Sequence, residues 1–104
     1  MDLQQAVSEF PIYLRLERNA SPLTIVNYRA DLKPFVAFCA TENVTTVEQV
    51  NSALVRRYLL NRQEGRVYNP GTVGRWVHAL RSFFRYCTEQ EYINKNPMLP
   101  IHSP

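Results

Sequence analysis

The sequence NPGTVGRWVHALRSFFRYC, Asn69 to Cys87, contains the clearest helical pattern in the chain. Five apolar residues recur at intervals of four, three, four and three, which places them on one stripe of a helix. These residues are Val73, Val77, Leu80, Phe84 and Cys87. Asn69 is a favourable N-cap and Pro70 suits the first helical position. The stretch therefore predicts a helix whose apolar stripe packs in the core.

The opposite face of this helix carries basic and hydrogen-bonding side chains. They are Arg75, His78, Ser82 and Arg85, and no acid precedes Glu89. A face of this kind is either simply solvated or able to lie against phosphate, and the pattern alone fits both. We also expect the amides at the start of the helix to be free to meet an anion.

The length and composition of the chain limit what it can be. With 104 residues, of which 45% are hydrophobic, the chain is long enough for one domain with one core. No apolar run is long enough to span a membrane and no secretion signal is visible, so we expect a soluble, cytoplasmic protein with no membrane partner. Cys39 and Cys87 each lie in a helical apolar pattern and are predicted to be buried rather than paired or metal-bound.

The remaining segments predict three further helices. The first covers Leu3 to about Glu17, and the second begins at Ser21-Pro22, a capping residue followed by a proline at the first helical position. A third helix from Ser52 to about Gln63 is capped by Asn51. On the second helix the predicted inward residues are Thr24, Tyr28, Leu32, Phe35 and Cys39, and the outward ones include Leu23, Val26, Asn27, Arg29, Ala30 and Lys33. The sequence thus predicts an all-α bundle of four main helices, with residues 1–96 as the domain and the proline-rich residues 97–104 as an extended linker.

The net charge of +3 permits a polyanionic partner without requiring one. Arginine outnumbers lysine among the cations, and its guanidinium suits bidentate contacts with phosphate or guanine. There is no zinc-type Cys/His spacing, no glycine-rich phosphate loop and no nucleophile elbow, so we predict no catalytic residue, cofactor or metal. His78 and Arg81 lie on a regular helix with no nucleophile placed beside them.

Several ordered motifs resemble the N-terminal core-binding domain of tyrosine recombinases, the phage integrase and Xer group. The motifs are Thr24-x3-Tyr28-x2-Asp31-Leu32-x2-Phe35, Thr72-Val73-x-Arg75, Leu80-Arg81-Ser82-Phe83-Phe84-x-Tyr86 and Ile93-x2-Asn96-Pro97. The resemblance covers nearly the whole chain. It implies a SAM-like orthogonal bundle of two crossed helical hairpins that clamps one side of a recombination half-site in double-stranded DNA.

The resemblance also implies a division of labour within a longer protein that carries out DNA recombination and integration. In this family a separate C-terminal catalytic domain cleaves DNA, so this chain is expected not to be an enzyme, and the segment 97–104 is expected to lead toward that domain. Expected partners are DNA, the catalytic domain of the parent chain and other recombinase subunits, with a tetramer in synapsis. His78-x-x-Arg81 has the letters of the catalytic His-x-x-Arg box but lies in the wrong domain.

The second and fourth helices face the major groove in the family, which implies a set of DNA-binding residues here. They are Thr24, Asn27, Lys33, Gly71, Thr72, Arg75, His78 and Arg81. Asn27 suits adenine edges and Arg75 suits guanine or phosphate. Two other functions are retained as alternatives: a helical protein-interaction module without DNA binding, and an enzyme acting through His78 and Arg81.

Overall fold

The computed structural model describes residues 1–102, and this part of the chain contains four α-helices joined by loops and turns. They are α1 (Leu3–Glu17), α2 (Pro22–Thr41), α3 (Ser52–Arg62) and α4 (Pro70–Glu89), with a short 3-10 turn at Val47–Gln49 before α3. The predicted all-α bundle of four main helices is confirmed.

Each helix begins at a polar side chain that accepts a hydrogen bond from an amide of the first turn. The caps are Asp2, Ser21, Asn51 and Asn69, and the last three are the caps that the sequence predicted. Because these side chains satisfy donors that the helix itself leaves unpaired, the local sequence is enough to set where each helix starts.

Helix α4 is the central helix of the bundle. All five residues of its predicted apolar stripe are buried, and so are four more, Trp76, Ala79, Phe83 and Tyr86. Neighbouring residues on a helix point about 100° apart, so Phe83 and Phe84 face different partners. Consequently α4 packs against both α1 and α2.

Edge-to-face aromatic contacts connect all four helices. The ring of Phe10 on α1 lies 5.8 Å from Phe83, which lies 5.0 Å from Phe84. Phe84 in turn lies 6.0 Å from Phe35 on α2, and Phe35 lies 5.2 Å from Tyr58 on α3. The interplanar angles run from 69° to 87°, the geometry that aromatic quadrupoles favour. We call these five residues the aromatic chain.

Both cysteines are buried and unpaired, as predicted. Burial, with a smaller contribution from the Glu42 carboxylate, raises the pKa of the Cys39 thiol to about 12. Burial likewise raises the pKa of the Cys87 thiol to about 12, with a smaller contribution from Glu48. Both side chains therefore act as small core residues.

The segment after α4 differs from the expected extended linker between Pro97 and Ile101. Residues 97–100 form a turn, the Asn96 side chain accepts a hydrogen bond from the Met98 amide at 2.9 Å, and Met98 and Ile101 are buried in the core. Two apolar side chains three residues apart in a turn reach the same surface, which explains why this part of the segment folds back. A linker role for 97–104 remains a prediction, and Ser103 and Pro104 lie outside the described residues.

Helix α4 ends in a Schellman motif. The amide of Glu91 bonds to the carbonyl of Thr88 at 3.0 Å, and the amide of Tyr92 bonds to the carbonyl of Cys87 at 2.9 Å. This motif needs a left-handed residue, and Glu91 has a φ of 62°. A glutamate in that region is strained, because its Cβ crowds the following carbonyl.

Replacing Glu91 with Gly should stabilise the protein by about 0.5–1 kcal/mol, because relief of the strain exceeds the entropy that glycine adds to the unfolded chain. Asn43→Gly is the matched control, since Asn43 ends α2 with a φ of 57° but asparagine tolerates this region. Urea denaturation measures the free energy of unfolding of both variants. A lower stability of Glu91→Gly than of the wild type would contradict the strain argument.

Truncating Phe84 to Ala should destabilise the bundle by about 3–5 kcal/mol, a large share of the stability of a small domain, because it opens a cavity and breaks the aromatic chain. Leu60→Ala is the control, since that leucine is 71% exposed and its loss should change stability by no more than about 0.5 kcal/mol. Similar denaturation midpoints for the two variants would show that the aromatic chain does not hold the helices together.

Candidate nucleic-acid interface

A shallow groove of about 230 Å³ separates the N-terminal half of α2 from the N-terminal half of α4. It is lined by Thr24, Asn27, Tyr28, Asp31, Arg75, His78 and Ala79. On α2 the lining residues recur at three- or four-residue steps, and on α4 Arg75 is followed by His78 after three, so each helix presents one stripe. The groove therefore results from two helix faces that the core holds side by side.

Four of the eight predicted site residues lie together in this groove. They are Thr24, Asn27, Arg75 and His78. Asn27, Arg75 and His78 are exposed, and Thr24 is half-buried. Their amide, guanidinium, imidazole and hydroxyl groups are the types that hydrogen-bond to base edges and phosphates.

Arg75 forms an ion pair across the groove. One of its terminal nitrogens, Nη2, lies 3.3 Å from Oδ1 of Asp31 on α2. The two partners differ in exposure, because the Arg75 side chain is 63% exposed and that of Asp31 only 11%. The carboxylate is thus set into the protein, and the guanidinium reaches outward from it.

Tyr28 connects the groove with the core. Its hydroxyl donates to Oγ of Ser82 at 3.1 Å and lies 3.1 Å from Nε2 of His78, while its ring meets the edge of Phe10 with centroids 5.3 Å apart. The sequence predicted Tyr28 as a core residue, and the structure shows it half-buried with a polar end at the surface. His78 is held in place by this contact.

The start of α4 does not offer free amides. The side chain of Asn69 accepts hydrogen bonds from the amides of Gly71 at 2.8 Å and Thr72 at 3.3 Å, and its carbonyl accepts one from Val73 at 3.3 Å. The expectation that these amides remain free to meet an anion is wrong, because the capping residue already satisfies them. Gly71 and Thr72, at the start of α4, are not among the residues that line the groove.

The other two predicted residues lie elsewhere. Lys33 lines a separate depression between α1 and α2, together with Arg29. The guanidinium of Arg81 donates to the carbonyl of Ile101 at 2.9 Å and so holds the C-terminal segment. Neither side chain contributes to the groove.

Sequence reasoning missed the role of Asp31, which it noted only as part of a motif. Asp31 directly precedes Leu32 of the inward stripe, and an acid beside a buried stripe was a signal that it has a specific partner. The role of Arg62 was also missed. Its guanidinium lies 3.9 Å over the ring of Trp76 and donates to the Tyr58 hydroxyl at 2.9 Å, so it anchors α3 on α4.

Among residues 1–102, no group of three or more histidine, cysteine, aspartate or glutamate side chains is arranged to hold a metal ion. In the same range no helix is long and apolar enough to span a bilayer.

Comparison with known proteins places the chain in a family. The profile described as the phage integrase, N-terminal SAM-like domain matches residues 7–91. The chain belongs to this family. The resemblance drawn from the sequence motifs and the SAM-like fold that it implied are confirmed.

Relatives of this SAM-like domain include the tyrosine recombinases XerC of several bacteria. The protein from Halalkalibacterium halodurans is 40% identical over 108 aligned residues, which cover 100% of this chain and 35% of the relative. The protein from Pelobacter propionicus is 36% identical, with 98% of this chain and 34% of the relative covered. The chain therefore spans about a third of the length of the curated relatives it matches.

The fold matches the crystal structure of the N-terminal domain of a phage integrase/site-specific recombinase from Haloarcula marismortui. The TM-score is 0.87 at 17% identity, and the match covers 100% of this chain and 97% of that one. This chain is thus a SAM-like domain of this family, and it matches only the N-terminal third of its tyrosine recombinase relatives. The hydroxyl of Tyr28 lies 3.1 Å from Nε2 of His78, and Arg81 donates to the carbonyl of Ile101, so these two side chains have different partners.

Proposed function

We propose that this SAM-like domain binds double-stranded DNA as the N-terminal part of a site-specific tyrosine recombinase, with α2 and α4 facing the major groove. The observation that carries the proposal is the groove between these helices, which gathers Thr24, Asn27, Arg75 and His78 on one surface. The family adds the expectation that the domain clamps one side of a recombination half-site.

The groove suits a partner that is read by hydrogen bonds. The amide of Asn27 pairs with the N6/N7 edge of adenine, and the guanidinium of Arg75 pairs with the O6/N7 edge of guanine. The hydroxyl of Thr24 and the imidazole of His78, on shorter side chains than that of Arg75, add hydrogen bonds to bases or sugar-phosphate. Gly71 and Thr72 lie at the N-terminal end of α4, which is the end proposed to enter the major groove of the DNA.

The charge of the domain supports moderate rather than strong binding. The net charge is only +3, and several of the cations are already engaged within the bundle. Arg62 stacks on Trp76, and Arg81 holds the C-terminal segment. Lys33 and Arg29 are exposed and remain as candidates for phosphate contacts, whereas Arg85 is exposed but pairs with Glu89 at 3.2 Å. Affinity should fall with salt, at a log-log slope of about −0.9 for each phosphate contact.

In the parent protein the SAM-like domain would act together with the C-terminal catalytic domain. Two modest DNA-binding modules on one chain raise the effective concentration of each other, so a clamp achieves higher affinity than either part. We propose that strand cleavage belongs to that other domain, and that further recombinase subunits assemble with this one on DNA, as a tetramer in synapsis.

Substituting Arg75 with Ala should weaken DNA binding by about 1–3 kcal/mol and abolish a base preference at one position, because the side chain reads a base edge. Lys33→Ala should weaken binding to all sequences alike and reduce the salt slope by about 0.9, because Lys33 meets phosphate. Gel-shift titrations at two salt concentrations measure both effects.

Arg57→Ala serves as the matched control. It removes one positive charge from the outer face of α3, where Arg57 pairs with Glu42. Glu42 lies just beyond the C-terminal end of α2, roughly 27 Å along that helix from Thr24 at about 1.5 Å per residue. The affinity of Arg57→Ala for DNA should stay close to that of the wild type. Binding that is indifferent to salt and to all three substitutions would favour a protein-interaction module instead.

A further inference from the structure

We propose that Asp31 is a specificity-determining residue of this domain: its carboxylate positions Arg75 to read a base edge and disfavours the use of that arginine on phosphate. The inference deepens the proposed DNA-binding function and rests on it. Asp31 need not touch DNA, so its role is to position another side chain.

The geometry of the ion pair indicates which partner sets the position of the other. Asp31 has a short side chain that lines the groove beside the buried stripe of α2 and is 11% exposed, whereas the long side chain of Arg75 is 63% exposed. A carboxylate with so little exposure has few positions available, while a free arginine samples many rotamers. The contact of 3.3 Å between Oδ1 and Nη2 therefore brings the guanidinium to the carboxylate and restricts it to the groove.

The pair leaves enough of the guanidinium free for recognition. Arginine carries five N–H donors, and the contact of 3.3 Å with Asp31 is made by Nη2. The remaining donors include the pair needed for a bidentate contact with O6 and N7 of guanine. Because the side chain is already restricted, it loses less conformational entropy on binding than a free arginine would.

The charge of Asp31 acts against non-specific binding. It is the one acid that lines the groove, as far as the chain is described, and it offsets the charge of Arg75. A polyanion gains little from a groove whose main cation is already neutralised. If Arg75 moved away to a phosphate, the poorly exposed carboxylate would lose its partner, which is unfavourable. Arg75 thus favours a base edge that it reaches without leaving Asp31.

The test compares wild type, Asp31→Asn, Arg75→Ala and the double variant. Each protein is used to select duplexes from a random-sequence pool, and its affinity for the unselected pool is measured at several salt concentrations. Asp31→Asn removes the charge at nearly constant shape, and thermal melting of each variant shows that it is folded. Asp31→Glu keeps the charge and serves as the conservative variant.

Asp31→Asn should bind the unselected pool more tightly and with a salt slope steeper by about 0.9, because Arg75 gains a phosphate. The preference for the selected duplexes should fall by about tenfold, within the range that one bidentate base contact provides. Asp31→Glu should keep the wild-type salt slope. In the Arg75→Ala background the change at Asp31 should leave the preference and the slope unaltered.

The outcomes separate this inference from the proposed function. If the wild type binds DNA and selects sequences but Asp31→Asn changes only the melting temperature, Asp31 is a structural residue and the inference is wrong. The inference is also wrong if the wild type binds without selecting any sequence. If the wild type does not bind the pool at any salt concentration, the proposed function itself fails, and the inference fails with it.

Discussion

The edge-to-face contacts of Phe10, Phe83, Phe84, Phe35 and Tyr58 are the packing on which the arrangement of the four helices depends. Each such contact contributes about 0.5–1.5 kcal/mol beyond the burial of apolar area, and its geometry restricts how the helices rotate about their axes. On α4, Phe83 contacts Phe10 of α1 and Phe84 contacts Phe35 of α2, so these two neighbouring residues link α1 with α2. A helix with apolar residues on a single narrow stripe would contact only one neighbouring helix. Because the buried face of α4 is wider, α4 contacts both α1 and α2 and is the central helix.

The position of the groove follows from this packing. Since α2 and α4 are both fixed by the core, the outward stripes beside the core come to lie next to each other, and Arg75 of one helix meets Asp31 of the other. Tyr28 contributes to both regions, because its ring packs on Phe10 and its hydroxyl contacts His78. The side chains proposed to meet DNA are therefore held by the same contacts that hold the fold. A change in the core is expected to alter the geometry of the groove as well as the stability.

Local chemistry explains how much of this could be predicted from the sequence. Helix starts depend on a cap and a proline next to each other, as in Asn69-Pro70, and the apolar stripe of α4 depends on spacing alone. The Arg75–Asp31 pair was out of reach, because the two residues are 44 positions apart in sequence and meet only where the two helices pack together. The burial of Met98 was also missed, since the prolines around it favour an extended chain and only the finished core offers it a site.

One face of α4 builds the core, and we propose that the opposite face, together with α2, meets DNA. The most direct measurement is an NMR titration of the isotope-labelled chain with a short DNA duplex, following backbone amides and the side-chain resonances of Asn27, Arg75 and His78. Shift changes should concentrate on the outward faces of α2 and α4, with the outer face of α3 around Arg57 unchanged. Changes centred on α3, or no change at saturating DNA, would contradict this proposal.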